Sequence, residues 1–149
     1  MSKVPPIIKE LTLNASPEKV FDAYTVKSEL EKWFAHEATI DPTADGAWRY
    51  TWPGGMAAEG RILEAQRPNR LVWTWEKSIT VNAVFESNVV NTYTFEAFEG
   101  GTRMRIEESN HETQQGRDMS EGGIDQMIST LRAFVENGTA VDWSRMPVP

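Results

Sequence analysis

The residues best equipped for chemistry cluster near one point of the chain: Glu107, Glu108, His111 and Glu112. Carboxylates and an imidazole are the groups that ligate divalent metals or shuttle protons. Glu108 can share the inward face of a strand with Met104 and Ile106, but His111 and Glu112 fall in a polar stretch. Carboxylate-rich loops of this kind are ordinarily solvated, so no metal is expected. His36 beside Glu37 is a thinner version of the same pattern. The chain has no cysteine, which excludes disulfides, thiolate nucleophiles and cysteine-bound metal. It also lacks a G-x-S-x-G elbow, an H-E-x-x-H helix, a phosphate loop and a dinucleotide fingerprint. The catalytic residues, if any, stay unknown, and no cofactor is implied.

A second chemistry is recognition by aromatic rings. Trp48, Tyr50, Trp52, Trp73, Trp75, Tyr93 and Phe95 recur at alternate positions of three apolar runs. Any one of them reads most simply as core. Together they are bulky and amphipathic, and buried indole N–H and phenol O–H groups need partners. That suits a cavity walled by rings with a few polar groups. Asn91 shares the face of Tyr93 and is either satisfied internally or turned toward a ligand. The expected lining is completed by Trp33, Met104, Ile106, Met127, Leu131 and Phe134.

The elements that must position these side chains follow from periodicity. Ile7–Leu13 alternates as a strand, and Ser16-Pro17 then opens a helix that buries Val20, Phe21 and Tyr24. Ser28, with Glu31 three residues on, reads as a capping box for a second short helix. From His36 the period becomes two, through strands at 47–52, 58–66, 71–76, 89–98 and 102–108. Residues 110–117 read as a polar loop. Ile124, Met127, Ile128, Leu131, Phe134 and Val135 then form one stripe of a helix over 123–137, stopped by Asn137-Gly138. One sheet face is therefore wet and the other is covered by that helix, an α+β layer architecture.

Composition sets the outer bounds. With 149 residues, 40% apolar and 25% charged, one domain (core about 7–138, tail 139–149) is expected, large enough for a real core. A formal charge of −7 disfavours nucleic acid and anionic membrane surfaces. No apolar run approaches the roughly 18 residues of a membrane span, and no leader is visible, so a cytoplasmic location is expected.

Several segments resemble a known superfamily. Ala15-Ser16-Pro17-Glu18-Lys19-Val20-Phe21 followed by Leu30-Glu31-Lys32-Trp33-Phe34 is similar to the opening of START-like (SRPBCC, Bet v 1-like) proteins. Gly46-Ala47-Trp48-Arg49-Tyr50, Gly60-Arg61-Ile62-Leu63-Glu64, Pro68 to Trp75 and Gly100 to Met104 extend the likeness. Together they resemble the branch named after the activator of the heat-shock-protein-90 ATPase. Many members carry Gly-Trp at the head of the last helix, where this chain has Gly123-Ile124. The resemblance implies a helix-grip fold, in which a curved antiparallel sheet wraps around a long C-terminal helix above a cavity.

The fold does not imply one activity. The leading expectation is a domain that binds a small hydrophobic or aromatic molecule. A co-chaperone acting on a heat-shock-protein-90 type ATPase is a second expectation. A cyclase, dehydratase or hydrolase using the same cavity is a third, weakened because no acid–base pair stands out on the covered face. Val84 and Phe85 make Ile79–Asn88 more apolar than a solvated connection should be. A hairpin or lid over the cavity mouth is expected there; the alternative is a homodimer contact with the Trp143–Met146 tail, so monomer and homodimer both stay open.

Overall fold

The computed structural model describes residues 4–79 and 88–145. The elements run β1 (Ile7–Leu13), α1 (Pro17–Thr25), α2 (Lys27–Trp33), β2 (Glu37–Ile40), β3 (Ala47–Trp52) and β4 (Met56–Gln66). They continue as β5 (Arg70–Trp75), β6 (Lys77–Ile79), β7 (Val89–Phe98), β8 (Gly101–Ser109) and α3 (Gln114–Asn137). A short 3-10 turn covers Trp143–Arg145. The strands form one antiparallel sheet in the order β1-β8-β7-β5-β4-β3-β2, with β6 pairing on β4. This is the expected α+β helix-grip architecture.

Local chemistry accounts for most boundaries. Ser16 Oγ accepts from the Lys19 N–H, and proline at the first helical position starts α1. At the far end, Gly138 takes φ 71°, a left-handed stop that closes α3 by donating to the Ala133 and Phe134 carbonyls. Several strand ends shift by one or two residues from the sequence reading, and two helix starts differ from it in kind. The second helix starts at Lys27, capped by Val26 without a side-chain bond, so Ser28 is not its cap. Glu31 instead accepts from Lys27 Nζ at 2.6 Å and from the Ala38 N–H at 3.1 Å, tying α2 to β2. These contacts hold its carboxyl below the ordinary range, Lys27 first and the Ala38 amide second.

The last helix begins nine residues earlier than expected, at Gln114 rather than Gly123. Thr113 Oγ1 caps it by accepting from the Gly116 N–H at 3.0 Å. Its first turns bury almost nothing, so the apolar period says nothing about them. Gly123-Ile124 therefore lies in mid-helix rather than at the head. Of the Ile79–Asn88 stretch, Ile79 closes β6 and Asn88 turns with φ 64°. Val84 and Phe85 lie outside the described residues, as does Met146, so no lid or dimer contact is assigned to them.

The core fills the concave side of the sheet. It takes Ile7 and Leu13 from β1, Val20, Phe21 and Tyr24 from α1, Leu30 and Trp33 from α2, and Leu131, Phe134 and Val135 from α3. One packing device ties three neighbouring strands together. The Trp48 indole of β3 crosses over Gly60 of β4 and donates to the Thr74 carbonyl of β5 at 2.9 Å. Gly60 is needed because a Cβ there would sit 2.0 Å from that carbonyl oxygen and 2.8 Å from Trp48 Nε1.

Candidate functional site: an aromatic interior with one polar row

The concave face brings together most of the expected lining. Trp33, Trp48, Tyr50, Trp73, Tyr93, Phe95, Met104, Ile106, Leu131 and Phe134 all belong to one buried cluster. Trp52 and Trp75 stand only half-buried at its edge, stacked on each other with centroids 6.3 Å apart. The rings meet mostly edge to face, as their quadrupoles favour. Trp73 meets Tyr93 at 5.7 Å, Tyr24 meets Tyr93 at 5.0 Å, and Trp48 meets Trp73 at 5.4 Å. From α3, Met127 Sδ receives the Tyr24 and Tyr93 hydroxyls at 3.8 and 3.9 Å. Phe134 stacks on Trp33 of α2 at 6.5 Å, not on a sheet tryptophan.

The interior is nearly closed. A void of about 10 Å³ lies between Tyr24, Phe34, Tyr50, Ile62, Leu71 and Trp73, room for about one water. Tyr24, Phe34, Ile62 and Leu71 were not among the expected lining. Tyr24, Phe34 and Leu71 fall on the apolar faces that the sequence pattern gives, but only the fold shows that they converge with Ile62. Burial pushes the Tyr24, Tyr50 and Tyr93 hydroxyls well above their ordinary pKa, so all three stay neutral phenols.

Five indole N–H groups have fixed partners. Trp33 donates to the Ala23 carbonyl, Trp52 to Phe34, Trp48 to Thr74, Trp143 to Glu31, and Trp75 to Ser78 Oγ. Trp73 is different. Its N–H faces the Tyr93 hydroxyl closely enough to favour the phenolate slightly, yet it closes no hydrogen bond of proper geometry. Asn91, 1% exposed, is its register partner on β7, and Asn91 Oδ1 is also unpaired. Such atoms are uncommon in protein interiors.

The row continues one strand further. Asn91 faces Glu108 on β8, and Glu108 faces Ile7 on β1. His111, 1% exposed, places Nε2 at 3.1 Å from Glu108 Oε1. An acid–base pair therefore does stand on the covered face, against the sequence reading. The signal was the parity of Met104, Ile106 and Glu108; what hid it was the polar look of the loop that carries His111. The inward-facing part of the cluster is thus Glu108 and His111, while Glu112 is exposed. Among the described residues no group of three or more His, Cys, Asp or Glu side chains is arranged to hold a metal.

The model of the family described as activator of Hsp90 ATPase homolog 1-like protein matches residues 14–136. The chain belongs to that family. No curated protein matches it in sequence. Its fold is similar to that of an Aha1 dimer from Colwellia psychrerythraea at TM-score 0.76 and 19% identity. That likeness covers 91% of this chain and 98% of the other. A Bacillus halodurans protein matches at TM-score 0.72 and 23% identity over 91% of this chain and all of its own. DynU16, from the dynemicin biosynthetic locus, matches at 0.77 and 16% over 93% of this chain and half of its own. At these identities the structural likeness speaks for the fold alone. No helix among the described residues is long and apolar enough to cross a membrane.

Proposed function

We propose that this member of the family binds a small aromatic or otherwise hydrophobic molecule between its sheet and α3. The observation that carries the reading is the pair of unmatched polar atoms, Trp73 Nε1 and Asn91 Oδ1, carried by register partners on adjacent strands in an interior otherwise walled by rings. A pure packing core would place leucine or phenylalanine there and avoid the desolvation cost. The expected lining residues that meet in the core are the proposed contacts.

Ligand sites usually enclose roughly 300 Å³ or more, so binding must open the closed interior. The first half of α3 is the cheapest part to move. From Gln114 to Thr130 only Ile124 is buried. The Gly122-Gly123 pair weakens the helix by about 1 kcal/mol per glycine relative to alanine. Besides the buried Ile124 and the partly buried Met127 and Ile128, polar contacts hold this half: Lys9 Nζ reaches Glu121 at 3.0 Å and Asp125 at 3.2 Å, and Arg117 donates to the Pro5 and Pro6 carbonyls. Exposed pairs of this kind contribute little. Titrating apolar aromatic or acyl compounds should therefore change tryptophan emission, because Trp33, Trp48 and Trp73 line the opened space. Unchanged emission across a broad panel would remove the binding reading.

The family match favours a second reading, stimulation of a heat-shock-protein-90 type ATPase. Interfaces draw their energy from a few buried aromatic or arginine anchors. Among the described residues the large hydrophobics that stand exposed are Ile8, Val26, Leu63 and Met119, none aromatic and each on a different part of the chain. We expect the ATPase rate of a cognate chaperone to rise by no more than about twofold, equivalent to ~0.4 kcal/mol. A robust increase beyond that in a steady-state assay would put the chaperone reading first.

A further inference from the structure

Given the binding function proposed for the interior, on which this inference rests, the two unmatched atoms specify more than apolarity. Trp73 Nε1 is a donor that needs an acceptor, and Asn91 Oδ1 is an acceptor that needs a donor. They belong to register partners on adjacent strands and face the same interior. A carboxylate, ketone or ether only accepts, and an ammonium only donates. A hydroxyl does both at one oxygen. A hydroxyl is also the smallest group that can serve both, and the nearby void, which Trp73 lines and Asn91 does not, shows that the interior around Trp73 has room for one oxygen. Next along the row, Glu108 adds a carboxylate whose Oε1 lies 3.1 Å from His111 Nε2. A second carboxylate brought into this enclosed row meets a like charge at low dielectric.

We propose that the bound molecule is a phenol or aromatic alcohol: its hydroxyl accepts from Trp73, donates to Asn91, and the Glu108–His111 pair beyond excludes carboxylates. Tyr24, Trp73 and Tyr93 now fill this space by packing edge to face on one another, and the incoming ring replaces part of those contacts with its own when the interior opens.

Calorimetric titration with naphthalene, 2-naphthol and 2-naphthoate, three probes of one shape, tests this. The naphthol should bind about tenfold tighter than naphthalene, the yield of two net hydrogen bonds, and the naphthoate most weakly. Asn91→Leu and Trp73→Phe should each reduce that preference to threefold or less while naphthalene still binds. Glu108→Gln should narrow the gap between naphthol and naphthoate. Asn91→Leu also separates binding from structure, since removing an unpaired buried group should leave the melting temperature equal or higher. Equal affinity for naphthol and naphthalene would overturn the proposal, meaning that water alone serves these atoms. So would tightest binding of naphthoate, or an Asn91→Leu variant that melts lower with its preference intact. If all three probes fail but the uncharged ester methyl decanoate shifts tryptophan emission, the hydroxyl inference falls and the binding reading stands. If methyl decanoate fails as well, both fall.

Discussion

Truncating Leu131 to alanine should destabilise the protein by about 2–5 kcal/mol, the range for a fully buried leucine whose site cannot collapse. Leu131 is 0% exposed and sits where α3 changes from an exposed rod to a packed one. Phe134 and Val135 follow it into the core, and Phe134 stacks on Trp33. The buried apolar contacts of the last two turns of α3 pass through these few residues. Chemical denaturation measures the loss directly. A change below half a kcal/mol would mean that the helix is not seated in the core at this point.

Replacing Gly60 by alanine should be of similar consequence, about 3 kcal/mol, the upper part of the overpacking range. The added methyl would lie 2.0 Å from a backbone oxygen. That oxygen is fixed, being the Thr74 carbonyl that accepts from Trp48. Thr74 is held further because its hydroxyl accepts from the Arg61 N–H at 3.1 Å. The strand pair β4–β5 must open or the Trp48 indole must leave, so thermal unfolding and tryptophan emission should shift together. Gly122→Ala is the contrasting control. A methyl there meets nothing within 4 Å, and alanine should stabilise the helix interior by up to about 1 kcal/mol. Gly60→Ala within half a kcal/mol of wild type, with unchanged emission, would refute the crossing.

These two sites also show what a sequence can and cannot disclose. Strands β1 and β7 are recovered residue for residue, because alternation runs unbroken between turn residues. Ser16 and Gly138 were readable because capping depends on a residue and its immediate neighbours. The start of α3 was not, because a helix turn that buries nothing leaves no apolar period. Glu31 illustrates a second limit. Its spacing from Ser28 fits a capping box, but a nearby lysine and the β2 amide compete for the same carboxylate. Within the site, parity placed Trp48, Tyr50, Trp73, Asn91 and Tyr93 on the inward face. It could not tell which indole lacks a partner, since partners such as the Thr74 and Ala23 carbonyls are set by strand order and helix docking. His111 was hidden for the same reason: its burial comes from the place where β8 ends, not from its neighbours in the chain.

The pairing of β1 with β8 has a consequence for synthesis. Ile7 aligns with Glu108 and Leu13 with Thr102, so the first strand emerges about a hundred residues before its partner. At roughly 5–20 residues per second, the nascent strand waits for on the order of 5–20 s with both edges unfilled. During that wait Lys9 and Glu10, in the middle of an otherwise apolar run, act as gatekeepers against pairing with a neighbouring chain on the same messenger. Lys9, which later latches α3 to the sheet edge, thus guards the strand before it has a sheet to join.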